Sequence, residues 1–366
     1  MRLLRNHLLI EFFIPFFSTL GIILISFLLG RGIVQMADLV LNKDVDIVLI
    51  LKMLFFSLPF ILTFAIPMAV LVSTLLSFGR LSYDNEIMAM RASGISMLRT
   101  VAPLLISIIV LCAATYVMSD RVASATHYIY RKLVTQIGIE NPTAALEEGT
   151  FIKKFKNFII FIYEIDKTKL KGVRIYQPQE GKPTRTIIAQ KGEIISIPEE
   201  GIIKLRLMHG TSDEPDPKDP SKLYKLNFRT YDLPLSISEF RTQNVPEKKP
   251  KDMTVTELRS EIRRLGDAGI AATYPLSAEI HNKIALSFSS LAFFLIAVPL
   301  AITTRRSEKS FGFGISLALM AIYWTLLIGG KAMAAKGVAH PFVALECANF
   351  IIGSIGIVLF GKLIKR

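Results

Sequence analysis

The chain has 366 residues, of which 51% are hydrophobic and 20% are charged, and its net charge is +13. Its mean hydropathy of +0.46 is too high for a soluble globular protein of this length, so the composition indicates a membrane protein. The two cysteines, Cys112 and Cys347, fall inside apolar runs and give no indication of a disulfide or metal framework.

Six stretches are long enough to cross a bilayer as helices, because the hydrocarbon core requires about 20 apolar residues. Five of them contain no Asp, Glu, Lys or Arg, and the sixth contains only Glu346. The stretches are 12–30, 53–79, 100–119, 284–304, 311–330 and 341–361. The first is too long for the apolar core of a signal peptide and lacks a cleavage pattern, so we expect a retained anchor.

The basic residues of the short loops predict the orientation of the spans. They collect in one set of loops and at the termini: Arg2, Arg5, Arg80, Arg91, Arg99, Arg305, Arg306, Lys309, Lys362, Lys365 and Arg366. The opposite short loops carry Arg31, Lys43, Lys331 and Lys336. By the positive-inside rule the first set is cytoplasmic together with both termini, and the long segment between spans three and four is extracytoplasmic.

That long segment predicts an all-β domain. Between residues 149 and 235 the sequence consists of short β-rich runs, such as FIIFIYEI and GIIKLRLM, that are separated by glycine-rich and proline-rich turns. This pattern favours a sandwich or jelly-roll-like fold. The predicted division is 1–120 for spans one to three with a short helix at 84–94, 121–252 for the β domain, 253–276 for a connector helix and 277–366 for spans four to six.

The connector has the sequence of an amphipathic helix. Thr254 and Glu257 have capping-box spacing, and Gly266 or Gly269 ends the pattern. Its apolar stripe consists of Leu258, Ile262 and Leu265. The helix either packs on the β domain or the membrane surface, or it acts as a moving lever between the outer domain and span four.

Motifs for hydrolysis and nucleotide binding do not occur in the sequence. It contains no HExxH, GxSxG or CxxC, and its five histidines are scattered, which argues against metal-dependent or serine hydrolysis. The segment IGGKAMAAKG lacks the first glycine of a phosphate-binding loop and the Ser or Thr that follows its lysine. We therefore expect a non-enzymatic chain that binds no cofactor and does not hydrolyse ATP itself.

The polar segment GRLSYDNEIMAMRASGIS, residues 79–96, joins spans two and three on the predicted cytoplasmic side. Ser82 or Asp84 is expected to cap a short helix, which ends at Gly94 in the left-handed conformation, and Ser96 is expected to cap the next span. Ile87 and Met90 share one face, and Glu86 and Arg91 flank it. The helix either presents this face to another protein or lies on the bilayer surface.

Charged residues at the outer ends of the spans are candidate ligand contacts, because ionisable groups there are costly unless they are paired, snorkel or face water. Arg31 and Lys331 either snorkel or face a cavity suited to an anionic amphiphile with phosphate groups. His281 and Lys283, at the start of span four, are candidates for the same rim. Glu346 is expected to pair with Lys336 or Lys331.

Three segments resemble the LptF/LptG family of lipopolysaccharide export permeases. They are LPFILTFAIPMAVLVSTLLSFGRLSYDNEIMAMRASGIS, AEIHNKIALSFSSLAFFLIAVPLAITTRRSEKSFGFGISLAL and GVAHPFVALECANF, and the resemblance extends over nearly the whole chain. Its most specific parts are the pattern of Gly79, Glu86, Gly94 and Ser96 in residues 79–96 and the His-x-Lys and Pro-Leu-Ala-Ile segments of span four. The spacing around SYDNEIMAMRASGIS favours the LptF branch.

The resemblance implies an α-helical membrane protein with six transmembrane helices and an inserted, jelly-roll-like periplasmic β domain. It implies a permease subunit of an ATP-binding-cassette transporter in the inner membrane of a Gram-negative bacterium. The implied partners are an identical or paralogous permease, an LptB-like ATPase dimer that binds the ATP, LptC-like and LptA-like bridge proteins, and lipopolysaccharide. No nucleic acid is expected.

The resemblance also implies roles for individual residues. Glu86 matches the acid of the family's coupling helix, which contacts the ATPase, and Arg91 and Gly94 belong to the same motif. The predicted coupling residues are Asp84, Glu86, Ile87, Met90, Arg91 and Gly94, and the predicted lipid-binding residues are Arg31, Lys43, Lys331, His281 and Lys283. Arg31 and Lys43 match the family by position only, and Glu346 departs from its pattern beside Asn349.

Two other functions are compatible with the residues. One is a scaffold that activates a periplasmic partner mechanically and moves no lipid. The other is an ion-coupled secondary transporter in which Glu346 carries a proton, although such a transporter would need acidic or basic partners in several spans.

Overall fold

The computed structural model describes residues 2–33, 46–140, 149, 151–155, 158–166, 169–179, 182–197, 202–215, 223–236, 247–267, 273–304 and 309–365. Within these residues the chain divides into two compact units. We call them the helical unit (Met1–Arg31, Leu54–Tyr128 and Lys248–Arg366) and the sheet unit (Gly32–Met53 and Ile129–Glu247).

Nine α-helices occur in the described part of the chain. They are α1 (Arg2–Phe27), α2 (Ile47–Tyr83), α3 (Glu86–Ala92), α4 (Met97–Val117), α5 (Ser124–Glu140), α6 (Val255–Asp267), α7 (Tyr274–Thr304), α8 (Lys309–Ala335) and α9 (Pro341–Lys365). A π-helical turn at Leu28–Ile33 follows α1, and another at Met118–Ala123 joins α4 to α5. A 3-10 turn at Pro250–Asp252 precedes α6.

The expected six spans are confirmed: six helical segments are long and apolar enough to cross a membrane. One sequence-derived boundary is wrong, because residue 121, the expected start of the β domain, lies inside continuous helix. The third span runs on through the π turn into α5, because residues 118–137 contain no proline or glycine, and α5 ends at Glu140.

Helix α7 forms the centre of the helical unit. Its most apolar window is 72% buried, whereas the corresponding windows of the other five spans are 11% to 33% buried. The remaining spans therefore keep most of their apolar surface available to lipid, as expected for a membrane protein. Its neighbour α9 approaches closely because it presents glycine: a Cβ atom at Gly356 would lie 2.7 Å from the backbone nitrogen of Ile296.

The sheet unit contains one six-stranded antiparallel sheet in the described residues, which confirms the inserted all-β domain. Its strands are β1 (Phe151–Phe155), β2 (Phe158–Asp166), β3 (Lys169–Gln179), β4 (Lys182–Ile197), β5 (Ile202–Pro215) and β6 (Leu223–Ser236). They pair in sequence order as a meander, without the strand crossings that a Greek key makes. The turn-rich sequence between the strands accounts for this local pairing.

Strand alternation gives the sheet one apolar face. The buried members of this face include Ile160, Ile162, Ile175, Ile187 and Leu207. These side chains are almost inaccessible to solvent, so this face of the sheet is covered. Most of the alternate residues, such as Ile188, face outwards.

Two residues with left-handed backbone lie at the same level of the sheet. Gly172 in β3 and His209 in β5 both have positive φ, 64° and 52°. The strand register sets each of them opposite the same position of β4, between Ala189 and Lys191. Left-handed residues bend a strand locally, so their alignment bends neighbouring strands at the same level.

Candidate coupling site and outer-side charges

The short helix α3 packs into the helical unit between α2 and α4. Ile87 and Met90 are only 5% and 8% exposed, and they belong to the same hydrophobic core as Leu81 and Met97. The expectation that Ile87 and Met90 form an exposed face is therefore wrong. Burying two long apolar side chains against the neighbouring spans stabilises the helix more than presenting them to solvent.

The exposed surface of α3 is formed by other residues. Met88 is 48% exposed, although it is a large apolar residue, and Tyr83 and Leu98 on the flanking spans are also exposed. The other exposed residues of this surface are Asp84, Asn85, Ala89, Ala92, Ser93 and Gly94. We call Tyr83, Met88, Ala89, Ala92 and Leu98 the α3 surface. Met88 was not among the predicted coupling residues. The sequence did indicate it, because it is an apolar residue of the short helix that lies outside the Ile87–Met90 stripe.

The end of α3 follows the sequence prediction. Gly94 has φ of 78°, and its N–H donates to the Arg91 carbonyl at 2.9 Å. The N–H of Ile95 donates to the Met90 carbonyl at 3.0 Å, which completes a Schellman motif. Ser96 then occupies the N-cap position of α4, as expected, but its side chain makes no capping hydrogen bond there.

The predicted caps at the start of α3 are wrong. Helix α2 continues to Tyr83, and Asn85, in the left-handed region with φ of 57°, occupies the N-cap position. Ser82 instead donates to the Ile302 carbonyl at the end of α7, at 3.2 Å. Asp84 is exposed and accepts a hydrogen bond from Arg80 at 3.4 Å. Asn tolerates the left-handed conformation, which makes the tight reversal between α2 and α3 possible.

Two charged residues of α3 connect it to spans that are distant in sequence. The ring nitrogen Nε2 of His7 in α1 lies 2.9 Å from Oε2 of Glu86. Arg91 Nη2 donates to the Leu363 carbonyl in the last turn of α9 at 2.8 Å. Displacement of α3 therefore acts directly on α1 and α9 as well as on α2 and α4. The Glu86 side chain stays 34% exposed beside His7.

Three of the predicted lipid-binding residues, Lys331, His281 and Lys283, have described side chains, and these make different contacts. Lys43 and the side chain of Arg31 lie outside the described residues. Lys331 in α8 donates to Oε2 of the buried Glu279 in α7 at 2.8 Å, with a third of its side chain exposed. Lys331 is therefore paired, and its exposed part is still able to reach an anion.

His281 lies partly exposed near the start of α7. Its ring meets the Phe342 ring edge-on, with the centroids 5.7 Å apart. Its Nδ1 atom is buried without a hydrogen-bond partner among the described residues. The Nδ1 atom of His281 is therefore able to form a hydrogen bond that no described residue supplies. The lipid-binding role of His281 stays a prediction.

The assignment of Lys283 to a lipid-facing rim is wrong. The residue is 3% exposed, and its ammonium donates to Ser124 Oγ and to the Met253 carbonyl, both at 2.6 Å. Asp120 Oδ1 lies 3.6 Å from the same nitrogen. A buried ammonium requires such partners, so Lys283 points into the protein instead of towards a ligand.

The expected partners of Glu346 are also wrong. Glu346 is buried in α9, where Asn349 Nδ2 donates to its Oε2 at 2.8 Å. The same amide donates to the Ala285 carbonyl of α7 at 2.9 Å, and the Tyr323 hydroxyl donates to that carbonyl at 3.3 Å. The hydrogen-bond partner of Glu346 among the described residues is thus the neutral Asn349 of its own helix, since Lys331 is paired with Glu279 instead.

The connector helix α6 has the predicted capping box. The Thr254 N–H donates to Glu257 Oε2 at 2.8 Å, and the Glu257 N–H donates to Thr254 Oγ1 at 3.3 Å. Burial raises the pKa of the Glu257 carboxyl, but hydrogen bonds from Lys248 and Thr254 outweigh it and leave the pKa below its usual value. The cap is therefore fully formed at neutral pH and weakens as the pH falls through that lowered pKa.

The apolar stripe of α6 packs on the first turns of α7. Val255 and Leu258 are buried with Leu276 and Ile280 of α7, and Ile262 packs against the same cluster. The expectation that α6 packs on the β domain or the membrane surface is therefore replaced by a contact with span four. Among the described residues, no group of His, Cys, Asp or Glu has an arrangement that would hold a metal ion.

These features define a class of protein. The chain is a multi-pass membrane protein in which three spans, an inserted all-β domain and three further spans follow one another. A short helix is packed between the second and third spans.

Comparison with known families identifies the family within that class. Residues 6–362 match the family described as "Lipopolysaccharide export system permease LptF/LptG". The chain therefore belongs to the LptF/LptG family, and it is a non-catalytic membrane subunit of a lipopolysaccharide export transporter.

Individual relatives agree with this assignment. The chain is 22% identical over 349 residues to "Lipopolysaccharide export system permease protein LptF" of Escherichia coli (strain K12), which covers 93% of this chain and 91% of the relative. LptF of Shigella flexneri shows the same identity and coverage. Protein RP871 of Rickettsia prowazekii (strain Madrid E) is 21% identical over 248 residues, or 66% of each chain. The preference for the LptF branch stays a prediction, which the two LptF similarities favour.

Proposed function

We propose that this chain is the permease subunit through which a separate ATPase drives lipopolysaccharide out of the inner membrane of a Gram-negative bacterium. The observation that carries the proposal is the α3 surface, an exposed apolar patch on a helix that is itself anchored to four spans. A rigid helix with an exposed apolar face is suited to receive force from a docked protein. The ATP is bound by that partner, because this chain lacks a phosphate-binding loop.

The charge distribution supports docking of the ATPase on the cytoplasmic side. Arg80, Arg91 and Arg99 lie in or beside the α3 segment, and Lys362 and Lys365 lie in the last turn of α9. The positive-inside rule assigns these segments to the cytoplasm, where ATP is available. Both termini are then cytoplasmic, and the sheet unit is periplasmic.

The exposed charges and the sheet supply a route for the lipid. Lys331 and His281 are the described candidates for contact with lipid phosphates at the outer end of the spans, together with Arg31 and Lys43. The apolar face of the sheet, around Ile160 and Ile187, has the chemistry to receive acyl chains. We propose that an identical or paralogous permease completes the cavity, and that LptC-like and LptA-like proteins continue the sheet's path across the periplasm.

Docking on the α3 surface is tested by photo-crosslinking in cells. A photoreactive amino acid in place of Met88 is expected to form an adduct with an ATP-binding protein, because Met88 is the largest exposed side chain of α3. The matched control is Phe350, a 63% exposed residue in the middle of span six, which should yield lipid adducts only. Absence of the ATPase adduct at Met88, or an equal adduct at Phe350, would contradict the proposed docking surface.

A further inference from the structure

The two chain connections that flank the segment Ile129–Glu247 of the sheet unit meet at one buried lysine of span four. The chain leaves the helical unit after Tyr128 and returns to it at Lys248. Asp120 and Ser124 precede the first crossing, and Met253 and Val255 follow the second. All four contribute an atom to a hydrogen-bonded group around Lys283, which we call the Lys283 node.

The contacts of the node link three separate segments. Lys283 Nζ of α7 donates to Ser124 Oγ at the start of α5 and to the Met253 carbonyl before α6, each at 2.6 Å. Ser124 Oγ in turn donates to the Met253 carbonyl at 3.2 Å. Asp120 Oδ1, in the π turn, is 3.6 Å from the ammonium and accepts the Val255 N–H at 2.6 Å. The outgoing and returning segments are therefore bonded both to α7 and to each other.

A second buried pair holds the returning segment beside the node. The Asp252 side chain is completely buried, and its Oδ1 lies 2.5 Å from Nδ1 of His127 in α5. The His127 ring packs against Phe60 of α2, with the centroids 5.2 Å apart. Asp252 Oδ2 also accepts the Lys249 N–H at 2.9 Å. The outgoing and returning segments thus have two independent attachments to the helical unit.

The contacts of the Lys283 node depend on the positive charge of Lys283. Its ammonium is surrounded by acceptors from two other segments, and removal of the charge would leave the Asp120 carboxylate, which is only 15% exposed, without its cation. Losing one partner of a buried ion pair is strongly destabilising locally, because the remaining charge stays desolvated. The π turn that carries Asp120 is a type of local irregularity that recurs at functional sites.

We propose that Lys283 is a positioning residue that fixes both connections of the segment Ile129–Glu247 to span four. Movement of α7 then reaches this part of the sheet unit through both connections together. This inference rests on the proposed function, in which the spans move during the ATPase cycle. It assigns to span four, the most buried of the spans, the task of moving the periplasmic domain.

The test uses the full chain in its complex with the ATPase and the second permease, in liposomes that contain lipopolysaccharide. Lys283→Met removes the ammonium and keeps the chain length, and Lys283→Gln keeps a donor in case the first variant does not assemble. The matched control is Lys171→Met, which removes a lysine that donates to Glu164 on the exposed face of the sheet. Two quantities are measured: hydrogen exchange of residues 120–128 and 250–258, and lipopolysaccharide released per ATP hydrolysed.

We expect exchange in both segments to become about tenfold faster in the Lys283 variants, and the lipid released per ATP to fall about fivefold at unchanged ATPase rate. If Lys283 has a purely structural role, lipid release and ATP hydrolysis should both fall in proportion to the loss of folded complex. Unchanged lipid release per ATP, or faster exchange in only one of the two segments, would overturn the proposal. A wild-type complex that releases no lipid contradicts the proposed function itself, and the exchange data then still decide whether Lys283 anchors both connections.

Discussion

Gly330→Val is expected to abolish accumulation of the folded protein. A Cβ atom at Gly330 in α8 would lie 1.9 Å from the carbonyl oxygen of Ala344 in α9, which is far inside van der Waals contact. The obstacle is backbone, so no side-chain rotation relieves it, and the two helices must separate. Overpacking of this kind costs about 1–3 kcal/mol, and the clash with backbone sets this case at or above the upper end.

The adjacent residue provides the control for Gly330→Val. A Cβ atom at Gly329 has no neighbour within 4 Å, and Gly329 is exposed on the same helix. Gly329→Val has the same composition and nearly the same depth, so it is expected to leave yield and thermal stability in detergent unchanged. Equal loss of folded protein in both variants would contradict close packing of α8 on α9 at Gly330.

Glu86→Lys is expected to uncouple ATP hydrolysis from lipid export, or to prevent assembly with the ATPase. The substitution reverses the charge of the exposed carboxylate of α3 and sets a cation beside His7. If the partner supplies a cation to Glu86, reversal replaces attraction with repulsion, and the lipid exported per ATP should fall by about tenfold or more. The measurement is lipid release and ATPase rate of the purified complex, together with the amount of complex recovered.

His7→Ala separates the two contacts that Glu86 is able to make. It removes the hydrogen bond within the chain and leaves the carboxylate free for a partner. If Glu86 acts through the ATPase, His7→Ala keeps most of the export that Glu86→Lys loses. Normal export and normal complex yield in Glu86→Lys, or an equal loss in both variants, would contradict a partner contact at Glu86.

Two local sequence signals predicted the local structure correctly, although the caps at the start of α3 were wrong. The Gly94 turn and the Thr254–Glu257 capping box both formed as expected, because each depends on residues within a few positions of one another. The six spans followed from uninterrupted apolar length, and the β domain followed from its short runs and turns. These features depend on propensity and periodicity, which the sequence carries directly.

The orientation of side chains towards distant segments was not predictable in the same way. Ile87 and Met90 share a face in the sequence pattern, but whether that face meets a partner or the neighbouring spans depends on tertiary packing. Lys283 looked like an available cation at the start of span four, and its partners Asp120 and Ser124 lie far away in the chain. Charge and position alone therefore could not separate a lipid contact from a buried bond.

The left-handed residues that bend the strands were not predictable for a related reason. A positive φ at Gly172 is compatible with the sequence, but His209 gives no such signal, and only the strand register aligns the two. Sequence runs predicted that this segment forms β-strands, whereas the level at which the strands bend depends on pairing across three strands. The apolar interior that we propose to receive acyl chains follows from that bend.

The most direct test of the account is ATP-dependent contact between lipopolysaccharide and the inner face of the sheet. An aliphatic diazirine residue replaces Ile187, which is fully buried on the apolar face, or Ile188, which is 40% exposed on the other face. In liposomes with the complete complex, we expect lipopolysaccharide adducts at position 187 that require ATP hydrolysis, and few at position 188. Adducts with protein only, or lipid adducts that do not depend on ATP or on the face, would contradict transport through this chain and favour a scaffold that moves no lipid.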